Sequence, residues 1–362
     1  MESNSAAFRL SDYPKMNYFS VNLEARRHAE RLVCPKRDPG MRCWPLFSAS
    51  VFLAGFTLQG VPQAADAPPP AETVIVTAHP KGPAIWFATK DGASVAILGI
   101  VEPLPDNFFW NTRPLEAILS GARRVLLPPR IQMGILSGGW FYLTESDLLH
   151  PPRNKALKDV LDQSVAAELA RECEFLHEPK ERYSDDAPIL AARQLASDFR
   201  HVYLLTTHEP EDSIAALARA RRVAVRRIAT YDLIPSGEEL LKLPAAVTGR
   251  CIDASIRDID FQSRHVSAAA EAWAIGDIEG MIANWSPSNL NECLIQLSPH
   301  ATAIDSRSID DTVAAINEAI ADGGRTVAVV DIGILLRKGG VLDRLKADGI
   351  PSFQNPGEKF NF

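Results

Sequence analysis

The apolar positions of this chain form short β-branched runs near both ends, and helical spacing dominates the middle. Two runs, at residues 84–89 and 94–101, flank Lys90-Asp91-Gly92, which is typical of a tight turn between two strands. Further strands are predicted at residues 74–77, 124–127, 223–229, 325–332 and 350–353.

Apolar residues at three- and four-residue spacing predict the helices. The first covers residues 111–121, with Leu115, Ile118 and Leu119 on one face. The others are predicted at residues 154–172, 189–205, 212–222, 256–285, 290–297, 309–322 and 339–348. Because strands and helices alternate near both ends, we expect an α/β (α+β) fold: a mixed β-sheet core built from N- and C-terminal strands, with a helix-rich middle.

The first 81 residues divide into three predicted segments. Residues 1–40 are polar and without periodicity, and we interpret them as a non-native extension that precedes the true start at Met41. Residues 41–67 have a positive start, an apolar run and small residues at the end, the order of a secretory signal peptide. A single membrane anchor stays as the alternative. Residues 68–81 form a proline-rich linker before a folded domain over residues 82–355. We therefore expect a periplasmic or secreted protein, or a membrane-anchored one.

Composition fits an ordinary folded protein, with 46% hydrophobic and 23% charged residues and a net charge of −7. No basic patch with interleaved aromatic residues is present, so a nucleic-acid partner is not expected. Cys173, Cys251 and Cys293 lie in the folded domain, too widely spaced for a zinc knuckle. One disulfide with one free thiol, or three buried free cysteines, both agree with this spacing.

Several motifs resemble the TraB/PrgY/GumN family in order and spacing. The run Gly82-Pro-Ala-Ile-Trp86, followed by Val95-Ala-Ile-Leu-Gly-Ile-Val-Glu-Pro-Leu-Pro105, is similar to the family's opening motif. Four later features also match, namely Trp110, Ala272-Trp-Ala-Ile-Gly-Asp277, Arg307 and the strand and helix over residues 327–349. The resemblance covers about residues 82–355. It implies a scaffold in which Gly99, Trp110 and Gly333 are binding positions.

The resemblance also implies a metal-dependent protease or hydrolase, in which two histidines and a glutamate supply the metal-binding and acid–base groups. This chain departs from that pattern at every such position. Glu102 replaces the first histidine, Ile334 the second and Pro128 the glutamate, while Asp331 replaces a glycine and Ser308 an asparagine. Isoleucine and proline side chains cannot bind a metal.

The sequence therefore predicts a catalytically inactive homologue, a pseudoenzyme that acts as a binding or regulatory module in the cell envelope. Its partner is expected to be a protein or peptide, and no cofactor is expected. A purely structural envelope protein is a third, weaker hypothesis.

The alternative is a metal-dependent hydrolase or peptidase with a rearranged carboxylate site. Glu102, Arg307 and Asp331 would be its catalytic residues, and a divalent metal such as Mn or Zn its cofactor. This alternative requires Glu102 and Asp331 to lie close together, whereas the simpler interpretation is a solvated loop carboxylate paired with an arginine.

Overall fold

The computed structural model describes residues 82–350 and 352–354, without the side chains of residues 353 and 354. The predicted extension, signal segment, linker and strand at residues 74–77 lie outside these residues. Across the stretch that is described, no helix combines the length and apolar character needed to cross a membrane.

Ten strands are formed by the described residues. In chain order they are β1 (Ile85–Lys90), β2 (Ala93–Ile100), β3 (Leu104–Pro105), β4 (Arg124–Leu127), β5 (Arg130–Gln132), β6 (Leu205–Thr206), β7 (Ala224–Arg227), β8 (Thr230–Asp232), β9 (Arg325–Asp331) and β10 (Ser352–Gln354).

Six of these strands form the central sheet, in the order β10-β1-β2-β9-β4-β7. Strands β2, β9, β4 and β7 are parallel, whereas β1 is antiparallel to both β2 and β10. Asp91 and Gly92 form the β1–β2 turn with φ values of +50° and +81°, as a two-residue hairpin requires. Strands from both ends of the chain thus build one mixed sheet, which confirms the predicted α/β fold.

Two small strand pairs lie outside the central sheet. Strand β3 pairs with β6 in antiparallel orientation, and β5 pairs with β8 in parallel orientation.

The described α-helices follow the predicted order with shifted ends. They are α1 (Arg113–Leu119), α2 (Ile135–Glu145), α3 (Gln163–Phe175), α4 (Pro188–Val202), α5 (Glu211–Ala220), α6 (Ile234–Leu241), α7 (Ala245–Thr248), α8 (Arg250–Ala274), α9 (Ile278–Asn284), α10 (Asn289–Leu297), α11 (Pro299–Ala321), α12 (Ile332–Leu336) and α13 (Val341–Ala347).

Two features differ from the predicted helices. The helix predicted over residues 256–285 is broken into α8 and α9, because Gly276 adopts a φ of +74° and the Asp277 carboxylate accepts a hydrogen bond from the backbone N of Gly280. Helices α2, α6, α7 and α12 were not predicted. Helix α2 is apolar on nearly all sides, so its sequence lacks the one-sided pattern that marks an amphipathic helix.

The sheet is covered on both faces. Alternating side chains of β1 and β2 point to opposite sides, so that Phe87 and Leu98 pack with α1 and α5, and Trp86 and Ile97 pack with α11, α12 and α13. A separate apolar core joins α3, α4, α8 and α10.

The helical core contains the three cysteines of the described domain. Cys251 on α8 and Cys293 on α10 form a disulfide, and Cys173 on α3 is a buried free thiol. The structure therefore has the first of the two cysteine arrangements that the sequence left open.

At Gly99, strand β2 packs closely against α12, the helix that follows β9. A Cβ atom on Gly99 would lie 2.6 Å from Cδ1 of Ile332 and 3.0 Å from Cδ2 of Leu335. The carbonyl oxygen of Gly99 accepts a 2.8 Å hydrogen bond from the buried indole nitrogen of Trp273. Glycine is thus required here by close approach, and Trp273 is a core residue.

We expect Gly99→Ala to destabilise the domain by about 1–3 kcal/mol, because the added methyl overpacks the contact with α12. Denaturant unfolding measures this change. The matched control is Gly237→Ala on α6, where a Cβ meets no atom within 4 Å. Because alanine favours the helix, this control should be neutral or slightly stabilising. Equal stability changes in the two variants would contradict the packing role of Gly99.

Candidate functional site

The carboxyl ends of the four parallel strands meet at one edge of the sheet. Asp331 is the last residue of β9, Glu102 follows β2 by two residues, and Pro128 follows β4 directly. Ile100 of β2 lies opposite Asp331 in the register of the β2–β9 pair. This edge is where open α/β sheets commonly bind ligands.

Asp331 caps the helix that follows it. Its Oδ1 accepts hydrogen bonds from the backbone N of Gly333 at 2.8 Å and of Ile334 at 3.3 Å. Burial raises the pKa of the Asp331 carboxyl, whereas these hydrogen bonds and the charge of Arg337 lower it; the net shift is upward. One oxygen of this carboxyl is therefore already used by the backbone.

Glu102 is a second carboxyl of this edge with a raised pKa. Burial, and then the nearby carboxyls of Asp331 and Glu211, raise the pKa of Glu102 from 4.5 to about 8, despite the opposing charges of Arg130 and Arg200. Glu102 is thus mostly protonated at neutral pH, where it is a hydrogen-bond donor.

Glu211 is held by two arginines. It is the first residue of α5 and only 7% exposed. Arg130, at the start of β5, donates to its Oε1 at 3.0 Å, and Arg227, at the end of β7, also pairs with it. Arg227 further donates to the carbonyl oxygen of Pro128 at 2.7 Å. Glu211 therefore links the ends of β4 and β7.

Arg200 provides a further cation near Glu102. It lies in the last turn of α4 and is half-buried. Burial, and then the charge of Arg193, lower the pKa of Arg200, while Glu102 and Asp258 raise it. A partly desolvated guanidinium within electrostatic range of a carboxyl with a raised pKa is a combination suited to polar oxygen groups of a ligand.

The predicted catalytic residues are distributed over two places. Glu102 and Asp331 are close enough to influence each other electrostatically. Arg307 on α11 instead places its guanidinium 5.3 Å from the ring centre of Tyr231, whose hydroxyl donates to Asp311. The positive charges that lower the pKa of Glu102 are those of Arg130 and Arg200.

The predicted binding residues are packing residues of the same edge. Trp110 lies 5.3 Å, centre to centre, from the ring of the buried Trp273. A Cβ on Gly333 would lie 2.9 Å from Oδ1 of Asp331 and 3.1 Å from the ring of Trp285. Gly333 thus leaves room for the cap, as Gly99 leaves room for α12.

Sequence reasoning missed Glu211, Arg130 and Arg200. Glu211 belongs to the acidic segment His208-Glu-Pro-Glu-Asp212, in which it favours a helix start through its charge alone. Arg130 directly follows Pro128 and Pro129 at the end of a predicted strand, and that position was its only signal.

The donor groups at this edge do not fit a metal ion. Glu211 is occupied by two guanidinium groups, and one oxygen of Asp331 caps a helix. Metal ligation requires deprotonated and available donors. Within residues 82–350 and 352–354, no group of three or more His, Cys, Asp or Glu side chains is arranged to hold a metal ion.

The fold and this edge define a class: a mixed α/β domain with helices on both faces and a charged cluster where the parallel strands end. The profile of the TraB/PrgY/gumN family matches residues 84–352, about three quarters of the chain. The chain belongs to this family. No curated protein and no solved structure matched the chain.

The pKa of Glu102 predicts a pH dependence of stability. Between its ordinary value of 4.5 and its folded value of about 8, the unfolded chain has released a proton that the folded chain keeps. The free energy of unfolding therefore falls as pH rises through this window, by at most about 1.4 kcal/mol per pH unit. Glu102→Gln cannot ionise and should lose this part of the slope, so that it becomes more stable than the wild type towards pH 8.

Urea unfolding at several pH values between about 5 and 8 measures the slope. Glu279→Gln, at an exposed position in the first turn of α9, is the matched control and should keep the wild-type slope. If Glu102→Gln and the wild type have the same slope, Glu102 does not keep its proton in the folded domain.

Proposed function

We propose that this chain is a non-catalytic member of its family, exported to the cell envelope, where it binds a protein or peptide through the carboxyl edge of its sheet. One observation carries this proposal. At the positions where the family resemblance implies a catalytic histidine and a catalytic glutamate, this chain has Ile334 and Pro128. The side chain of Ile334 packs against the apolar core, and Pro128 is buried, with its carbonyl oxygen accepting a hydrogen bond from Arg227. Both positions serve the structure.

The chemistry of the edge supports a peptide as ligand. A protonated Glu102 can donate a hydrogen bond, and the guanidinium of Arg200 can donate to carbonyl or carboxylate oxygens. Peptide backbones and chain ends present such oxygens. Recognition would then use donor groups that this domain holds in place without a metal.

Two features support export. The apolar run at residues 43–61 follows a positive start, as in a signal peptide, and the Cys251–Cys293 disulfide is of a kind that persists in oxidising compartments. A periplasmic or secreted location agrees with both features, and a single N-terminal membrane anchor is the alternative.

A hydrolase with a rearranged carboxylate site is the second candidate, and the raised pKa of Glu102 favours it. A carboxyl that stays protonated near pH 7, with other carboxyls close by, is a common general acid. In this form the activity would rest on acid–base chemistry of Glu102 and Asp331, because the donors at this edge do not fit a metal.

A peptide library distinguishes the two candidates. The purified protein is incubated with the library, with and without Mn²⁺ or Zn²⁺, and the products are identified by mass spectrometry. We expect no cleavage above that of buffer, in wild type and in Glu102→Gln alike, together with retention of a subset of peptides on the immobilised protein. Cleavage by the wild type that Glu102→Gln abolishes would establish the hydrolase instead.

Binding itself is tested with Arg200→Gln. Loss of a charged hydrogen bond costs about 1.5–3 kcal/mol, so retained peptides should bind roughly ten- to hundredfold more weakly. Arg264→Gln, an exposed arginine on α8, is the matched control and should bind as the wild type does. Unchanged binding in both variants would contradict peptide binding at the carboxyl edge of the sheet.

Export predicts that the disulfide forms in the cell and stabilises the domain. The cysteines are 42 residues apart, and closing a loop of that length contributes about 4 kcal/mol. Paired replacement of Cys251 and Cys293 by alanine should lower the melting temperature, and reductant should lower it in the wild type only. Alkylation before lysis should find both thiols protected. Two reactive thiols at these positions would contradict export.

A further inference from the structure

Helix α2 exposes its apolar face to solvent. Within the described residues around it, seven large apolar side chains are more than half exposed, namely Ile131, Met133, Ile135, Leu136, Trp140, Tyr142 and Leu143. Ile135 is 92% and Leu136 is 89% exposed. Together the seven present on the order of 1,000 Å² of surface, above the few hundred Å² of a typical patch on a monomer. Such a surface indicates an interaction site.

The exposed residues of α2 form one continuous arc. At about 100° per residue, Ile135, Leu136, Trp140, Tyr142 and Leu143 lie within an arc of roughly 160°. The domain-facing side of the helix has the small Gly138 and the buried Phe141. The helix thus has its larger apolar face turned away from the domain, the reverse of an ordinary surface helix.

The helix is nevertheless held in place by polar contacts. Asp232, at the end of β8, accepts a hydrogen bond from the backbone N of Gly134 and another from the side chain of Ser137. The side chain of Met133 packs against Gly138. The exposed face is therefore presented by an anchored helix.

We propose that this face binds a second copy of the chain, as a two-fold symmetric dimer through α2. The α2 face is defined as the six exposed residues Ile135, Leu136, Gly139, Trp140, Tyr142 and Leu143. Its area, with that of Ile131 and Met133, matches the roughly 800 Å² per partner of a standard interface.

Charge favours a second copy over other occupants. Residues 131–144 contain no charged side chain. A two-fold axis sets each patch against itself, so like charges would repel there, and a charge-free patch avoids this cost. A lipid surface normally binds helices with lysine or arginine on the polar face, which α2 lacks, and the chain has a net charge of −7.

Gly139 provides a place for the two helices to cross. It lies near the middle of the α2 face, and a Cβ there would meet no atom within 4 Å. Without a side chain at this position, two α2 helices can approach closely, while Leu136, Trp140 and Leu143 pack on either side.

The oligomeric state of the full chain, measured by light scattering and sedimentation at micromolar concentration, tests the proposal. We expect a dimer that Leu136→Glu and Trp140→Glu each convert to a monomer, with at least a hundredfold loss of association. Ile282→Glu on α9, at a position 53% exposed, is the matched control and should stay dimeric. Circular dichroism confirms that the variants are folded.

Cross-linking provides a second measurement. Gly139→Cys should form an intermolecular disulfide under mild oxidation that the wild type does not form. A monomeric wild type overturns the proposal, and two further observations then identify the occupant. Sedimentation with neutral vesicles indicates a lipid surface, and slow hydrogen exchange in α2 that is lost on deleting residues 1–67 indicates the chain's own N-terminal segment. A dimer that survives both glutamate variants also overturns it.

Discussion

The pairing of β2 with β9 is the interaction on which the rest of the domain depends. Seven residue pairs join them, from Ser94 with Arg325 to Ile100 with Asp331, across more than two hundred residues of chain. Closing so long a loop is entropically unfavourable, and the fully buried β-branched residues of both strands compensate for it. The register also fixes the site, because a slip of one residue would turn Asp331 to the opposite face of the sheet.

Packing at the end of β2 makes this pairing specific. Gly99 admits Ile332 and Leu335 of α12, and its carbonyl oxygen satisfies the indole of Trp273. Three segments that are distant in sequence therefore meet at one residue without a side chain. Scaffold and site cannot be separated here, since Asp331, the cap of α12, is part of both.

The sequence predicts the strands of the central sheet well, the two small strand pairs not at all, and the site only in part. Strand β4 was predicted with its observed ends, and β1, β2 and β9 within a residue or so, because each is an apolar run bounded by turn residues. That β2 and β9 end at the same edge was only a requirement of the rearranged-site alternative, and the register of the β2–β9 pair meets it. The pairing of Glu211 with Arg130 and Arg227 could not be predicted, because ion pairs depend on which strand ends become neighbours and leave no local pattern.

The exposure of α2 could not be predicted from the sequence either. A helix that is apolar on most sides is normally buried, and periodicity gives no sign of which element, or which second molecule, covers it.

The acidic segment at residues 208–212 also has a tertiary role that its sequence does not reveal. Its charge predicts a helix start, which α5 confirms, but the carboxylate of Glu211 also pairs with the arginines of two strands.

The carboxyls at the sheet edge are each stabilised in a different way. A raised pKa favours the protonated form of Glu102, backbone amides donate to Asp331, and guanidinium groups pair with Glu211. A cation entering this edge would have to displace one of these partners, at the cost of leaving a buried group unpaired. A neutral or anionic ligand would displace none of them. For this reason the proposed binding role relies on donor groups of the edge and not on a bound cation.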